Sequence, residues 1–383
     1  MGGNNKTECN NLYTMKIGII TCAGYSNYGG MLQAYAMTQV LTHLGHDPKV
    51  IYRPVEWKLR WYRIPKVLPL RILDKLRGKN VRLLHERYLT KTFPLTVQHT
   101  RPFVERYIPK VEVKRYEDLQ EGDWDGFVVG SDQIWRPAYN IGNEANTYLA
   151  FARKWNIKRV AYAASFGTDQ WEMSPKLTEQ CRNLISLFDY VSVREASGVD
   201  LCRKYLGIEA DNVVDPTLLL PHEAYEKIVE NAHVPVSSGT LLTYVLDETK
   251  EKQAVVERVI EQYALKPFRV NSRFEDSTAP VEERIQPPVE QWLRGFMDAR
   301  MVVTDSFHAC VFSIIFNRPF VVVGNEGRGL SRFHSLLSLF GLEDRLVTSP
   351  ADMPANDIDW AEVNARLVTL RKTSVSKLKE ALR

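Results

Sequence analysis

Cysteine is scarce in this chain and poorly spaced for structural chemistry. The five thiols, Cys9, Cys22, Cys181, Cys202 and Cys310, are odd in number, and no pair has the short spacing of a zinc site. They predict a reducing cytosol, no disulfide framework and no zinc. Long apolar runs are also missing, so no stretch can span a bilayer. The first fourteen residues, MGGNNKTECNNLYT, lack the apolar core of a secretion signal and read as a disordered leader, 1–14. Lys6 stands where a myristoylation signal needs Ser or Thr. No Gly-Lys-Ser/Thr phosphate loop and no G-x-G-x-x-G fingerprint occurs. Internal repeats and low-complexity tracts are absent.

With 383 residues, 44% hydrophobic and 25% charged, the chain belongs to a globular protein with two cores. The net charge of +4 hides an asymmetry. From Arg53 to Arg87 eleven Lys or Arg face three acids, a local +8 that leaves about −4 for the rest. Trp57, Trp61, Tyr62, Leu68, Leu70, Ile72 and Leu73 are mixed in. That composition suits an anionic membrane surface reached through residues 53–87, or a solvated helical insertion, 53–91. Confined to one segment and without a recognition motif, it does not suit nucleic acid.

Apolar runs alternate with helical patterns throughout, which predicts α/β architecture with parallel sheets. Lys16–Thr21 is a strand that enters a glycine-containing loop, Cys22 to Gly30, and then a helix from Met31. Tyr25, Asn27 and Tyr28, with the bare backbone of Gly29 and Gly30, make this a ligand-facing loop. Later strands end in Ser131-Asp132, Ser165, Arg194 and Asp215. In doubly wound sheets ligands bind outside such ends, and the Arg194 fork suits a carboxylate or phosphate unless a nearby acid claims it. Asp123-Trp-Asp125 precedes a strand and reads as a solvated loop. The domains are expected at 15–235 and 236–350, linked through Pro221–Gly239, with a helical tail over 351–383.

One stretch concentrates the chemistry. Met301–Val303 is a strand, and Asp305 and Ser306 are cap residues before a short apolar helix. Phe320–Val323 is the next strand. His308 falls in the first turn of that helix, where free N–H groups and the helix dipole favour anions. It is either a titrating group at an anion site or a satisfied core histidine. The glycine-rich loop Gly324–Leu330 follows, carrying Arg328, with Arg332 just beyond.

These motifs resemble those of the polysaccharide pyruvyl transferase family. The matching pieces are KIGIIT with YSNYGGMLQAYA, FVVGSDQIW, YAASFG, VSVRE, VVDPTLLL, VTDSFHACVFSIIFNRPFVVV and RGLSRFHSLLSLFGLEDRL, in family order across about Lys16 to Leu346. Ala309 replaces the glycine common after the motif histidine, and Ser306 stands where some members carry arginine. The resemblance implies two Rossmann-like doubly wound domains facing a cleft, similar to the GT-B glycosyltransferases. It implies transfer of pyruvate from phosphoenolpyruvate (PEP), as co-substrate, to a hexose of a lipid-linked or surface polysaccharide as a cyclic ketal, with no metal and no other cofactor. His308 and Asp132 are then the proton carriers. Arg194, Ser306, Arg328, Gly29 and Gly30 are the PEP contacts. Tyr25, Asn27, Tyr28 and Ser165 face the glycan acceptor. A GT-B glycosyltransferase with a nucleotide-sugar donor, and a non-catalytic component of a membrane-bound assembly complex, are the alternatives.

Overall fold

The computed structural model describes residues 14–54, 57, 59, 61–79, 81–324 and 329–383. Residues 1–13 of the expected leader lie outside this set, as do Arg328 and, in the basic stretch, Lys58 and Arg60.

Among the described residues twelve short strands form two sheets, and every pairing is parallel. The first holds β1 (Lys16–Ile20), β2 (Asp47–Tyr52), β3 (Lys110–Glu112), β4 (Gly126–Val129), β5 (Lys158–Ala164), β6 (Tyr190–Val193) and β7 (Asp211–Asn212). Their order across the sheet is β3-β2-β1-β4-β5-β6-β7. The second holds β8 (Leu241–Tyr244), β9 (Pro267–Phe268), β10 (Met301–Thr304), β11 (Phe320–Val323) and β12 (Leu346–Val347), in the order β12-β11-β10-β8-β9. The central strands are continuous apolar runs such as Phe320–Val323, buried at every position because helices cover both faces.

Both orders are those of doubly wound nucleotide-binding folds, and each reverses direction at one place. In the first sheet the reversal lies between β1 and β4; in the second it lies between β8 and β10. A crevice opens at such a reversal because successive crossover helices diverge to opposite faces. The architecture is thus two Rossmann-like domains of GT-B type, facing each other across a cleft.

The domains share a core. One apolar cluster runs from Ile17 and Met31 of the first domain to Val302 and Phe312 of the second. The stretch expected as a link, Pro221–Gly239, contains the helix His222–Ala232. Its Tyr225 ring lies 6.3 Å from Tyr35 and 5.0 Å from Phe312, tying the layers together. The expected tail carries the helix Trp360–Ala381, which packs back on the first domain. There Arg371 donates to the carbonyls of Leu218 and Leu220, and Lys377 pairs with Asp211. The basic insertion forms helices Ile64–Leu76 and His85–Thr96, the first without a single buried residue. No helix among the described residues is long and apolar enough to cross a membrane.

Candidate active site

The cleft has a volume of about 1520 Å³, above the roughly 300–1,000 Å³ of ordinary ligand pockets, so it has room for two substrates. Its floor is made by the ends of strands at both reversals. Residues Thr21–Gly24 and Ser26–Gly29 follow β1, Asp132 and Gln133 follow β4, Tyr244–Leu246 end β8, and Asp305–His308 follow β10. Two interdomain hydrogen bonds close one end, from Gln286 Nε2 to the Ser26 carbonyl and from Tyr28 Oη to the Pro287 carbonyl.

His308 is buried on this floor, at the start of helix Phe307–Ile315. Its Nε2 lies 3.7 Å from Asp215 Oδ2, at ion-pair distance but too far for a good hydrogen bond, and has no hydrogen-bond partner. Asp215 is fully buried. Its Oδ2 accepts from Arg194 Nη1 at 2.9 Å and from Ser131 Oγ at 3.1 Å; its Oδ1 accepts from the Thr217 amide and hydroxyl. Burial alone would raise the Asp215 pKa. His308, Arg194 and the Thr217 amide outweigh it and hold the carboxyl well below the usual range. Arg194 Nε donates to Glu195 at 3.0 Å, and Nη2 lies 3.8 Å from Asp132 Oδ1. Burial would weaken the Arg194 cation, but Glu195, Asp215 and Asp132 keep its pKa above the normal value. Arg332 lines the cleft nearby, its pKa pushed down to about 10 by burial and then by the Arg194 charge. The Phe307 ring lies against both guanidinium groups, 4.2 Å from Arg194 and 5.8 Å from Arg332. Three carboxylates thus face two guanidinium groups, and a proton on His308 brings the sum to zero.

The helix that carries His308 is anchored from below by Asp305. Leu246 and Asp247 amides donate to its two oxygens, and Lys252 Nζ donates to Oδ2 at 2.7 Å. Asp305 therefore spans the β8/β10 reversal and is no helix cap. Ser306 occupies the cap position, but its hydroxyl makes no capping bond. On the other side, Gly29 touches the imidazole. A Cβ built there would stand 2.0 Å from His308 Nδ1, so this helix start can approach the ring only as glycine.

The structure brings together on the cleft wall His308, Asp132, Ser306, Asn27, Tyr28 and Gly29. Others of the expected residues lie off that wall. Tyr25 is buried and donates to Glu105 Oε1. Ser165 is buried and donates to Glu195 Oε1 at 2.7 Å. Gly30 packs against the Cys22 carbonyl instead of the cavity. Arg194 lies behind the floor, its charge used by Glu195 and Asp215. For Tyr25 and Ser165 the sequence does not show which way the side chain leaves its strand or loop, and Gly30 falls one residue beyond the last residue of that loop on the wall; Arg194 is in the ion pair anticipated as the alternative. Asp215 was read as a strand end on the ligand edge and Asp305 as a helix cap, and neither was given a part in the site. The signal available was position alone, Asp-Pro-Thr and Asp-Ser-Phe each closing an apolar strand. Among the described residues, no three His, Cys, Asp or Glu side chains are grouped to hold a metal ion.

A family model described as polysaccharide pyruvyl transferase matches residues 27–327. The chain belongs to that family. No curated protein sequence matches it. Among solved structures, it is similar to MnaA of S. aureus in complex with UDP, at 10% identity and TM-score 0.46, over 88% of this chain and 86% of that one. It is also similar to a glycosyltransferase from Rickettsia africae, at 12% identity and TM-score 0.45, over 96% and 93%. A third is the UDP-GlcNAc 2-epimerase of Neisseria meningitidis bound to UDP-GlcNAc, at 10% identity and TM-score 0.45, over 96% and 94%.

Proposed function

We propose that this transferase moves pyruvate from PEP to a galactose-type hexose of a lipid-linked or surface polysaccharide precursor, closing it as a cyclic ketal and releasing phosphate. The reading is supported by the family, by a cleft large enough for both substrates, and above all by one observation: a buried imidazole, backed by Asp215, at a helix start lined by Arg332 on the cleft floor.

The chemistry needs a proton carrier. The PEP methylene takes a proton and becomes a methyl group. A sugar hydroxyl adds to the cationic carbon left behind, phosphate departs, and a second hydroxyl closes the ketal. Of the two hydroxyl protons, one balances the new methyl hydrogen and the other leaves with phosphate. His308 delivers the first proton and recovers one from the attacking hydroxyl, as a general acid and base. Asp215 stabilises the imidazolium between those steps. Arg332 and the first amides of helix Phe307–Ile315, which lack intrahelical acceptors, receive the phosphate and carboxylate. Asp132 and Asn27 face the acceptor. PEP enters as co-substrate, and the scheme uses no resident cofactor.

Thermal unfolding with PEP, UDP- and GDP-sugars and inorganic phosphate tests the donor. Saturation at a hundred times the dissociation constant adds about 2.7 kcal/mol of stability, so PEP should raise the melting temperature beyond the phosphate control. Stabilisation by a nucleotide sugar and none by PEP would overturn the proposal in favour of glycosyl transfer.

A further inference from the structure

Helix Ile64–Leu76 leaves most of its apolar side chains exposed to solvent and is no more than half-buried along its inner side. The half-buried side consists of Val67, Leu68, Arg71 and Asp74. Arg71 holds Glu86 through a two-pronged pair at 2.6 and 2.8 Å and donates to the Leu83 carbonyl, clamping the helix to the segment leading into His85–Thr96. Asp74 pairs with Lys79. The outer side carries Leu70, Ile72, Leu73 and Leu76, the last 80% exposed, and Trp61, 81% exposed, precedes it. Pro65 and Pro69 join Ile72 and Leu76 along a shallow apolar groove. Around that face stand exposed Arg63, Lys66, Lys75 and Arg77. Between residues 61 and 79 there are six basic residues and one acid, Asp74, which is already paired.

A soluble surface helix buries its apolar stripe, whereas here Leu70, Ile72, Leu73 and Leu76 stay exposed. An apolar stripe flanked by Lys and Arg matches a bilayer surface, with the stripe among the acyl chains and the cations at anionic headgroups.

The location adds a second argument. The insertion rests on the rim of the cleft. Phe93 of helix His85–Thr96 lies 6.4 Å from Phe274, which lines the cavity. Arg82 donates to the Ser277 carbonyl, and Arg284 donates to Tyr88 Oη at 3.4 Å.

We propose that helix Ile64–Leu76, with Trp61 before it, docks on an anionic lipid surface and sets the rim of the cleft beside it. The inference stands on charge, exposure and the position of the insertion at the rim, and does not depend on the pyruvyl donor. Combined with the reading above, it makes the acceptor a glycan carried on a lipid in that surface.

The test is flotation of the full chain with vesicles of phosphatidylcholine alone or mixed with phosphatidylglycerol. Wild type should float with the anionic vesicles, less with the neutral ones, and less at high salt. Leu70→Glu/Leu73→Glu/Leu76→Glu, and separately Lys66→Glu/Arg77→Glu, should each cut flotation by roughly tenfold or more. These side chains are exposed, so the melting temperature should hold, as should turnover of a soluble galactoside. Equal flotation of wild type and variants, or no flotation of wild type, overturns the proposal. So does a dimer in light scattering that the leucine variant splits while vesicles leave wild type unbound, since the face would then belong to a second copy. A chain that binds vesicles but not PEP would refute the pyruvyl reading and leave this one standing.

Discussion

Gly29→Ala tests whether catalysis depends on the position of the His308 ring. The added methyl would stand 2.0 Å from His308 Nδ1, 2.3 Å from Cγ and 2.6 Å from Cε1, where ordinary contact begins at 3.4 Å. The imidazole must retreat by about 1.4 Å, and it is a buried ring on a packed helix, not the free end of a flexible side chain. Relief comes from rotating the ring or from parting the domains, because Gly29 and His308 belong to different ones. Either movement disturbs the register of His308 with Asp215 and with the cleft floor.

A misplacement of about 1 Å at a reacting group costs on the order of a hundredfold in rate, or about 2.7 kcal/mol of barrier. Gly29 has no left-handed backbone conformation to lose, and alanine is the better helix former by about 0.5–1 kcal/mol. The overlap should cost about 1–3 kcal/mol of stability, partly offset by the helix gain, so the melting temperature should fall modestly while kcat/KM falls about a hundredfold. Two controls frame the result. Gly24→Ala adds a methyl with nothing within 4 Å, and Gly30→Ala meets the Cys22 carbonyl at 3.1 Å and two Asn27 carbons at 3.5 Å; both should stay near wild type. The assay is phosphate release from PEP with a galactoside acceptor, beside calorimetric unfolding. A Gly29→Ala enzyme within threefold of wild type would refute the argument that the ring's position matters.

Three more outcomes follow from the same network. His308→Gln should retain PEP-dependent stabilisation yet lose about 10²–10⁴ in turnover; retained turnover would remove it as the proton carrier. Arg194→Leu should mainly destabilise the fold, by about 3–5 kcal/mol, because Glu195 and Asp215 are left buried without their cation, whereas Arg332→Leu should mainly weaken PEP binding, by roughly tenfold or more; calorimetry beside PEP titration distinguishes them, and the reverse pattern would make Arg194 the donor contact. For Asp215 the folded carboxyl lies below its unfolded value near 4. Its ionised form therefore contributes stability that is fully present above about pH 5 and fades as the pH drops through 4 and below. The melting temperatures of wild type and Asp215→Asn should differ by a constant amount at neutral pH and converge in acid, and a gap that widens in acid would reverse the sign of the coupling.

What the sequence could and could not reveal divides along a physical line. Strand ends were legible because an apolar run of four or five residues stopped by Asp, Ser or Gly has few ways to fold in a parallel sheet, and β4, β6, β10 and β11 fall where their runs are. Strand order was not legible, since it is fixed by which way each crossover turns and not by the residues of the strands it joins, and so the facing reversals that make the cleft could not be placed. Within the site, His308 and Asp132 could be read from their position after a strand. Ser165 had the same position and points the other way, into Glu195, because side chains alternate from one face to the other along a strand. Arg194 shows the deeper limit: a guanidinium after a strand is equally suited to a ligand anion or to a neighbouring carboxylate, and only the packing that places Asp215 2.9 Å away decides which it holds. The charge on Arg194 is thus committed to the fold. Arg332, in the first turn of helix Leu330–Phe340, is a buried guanidinium that does line the cleft, so under the proposed reaction the donor contact is expected from the helix after β11 and not from the strand end at Arg194.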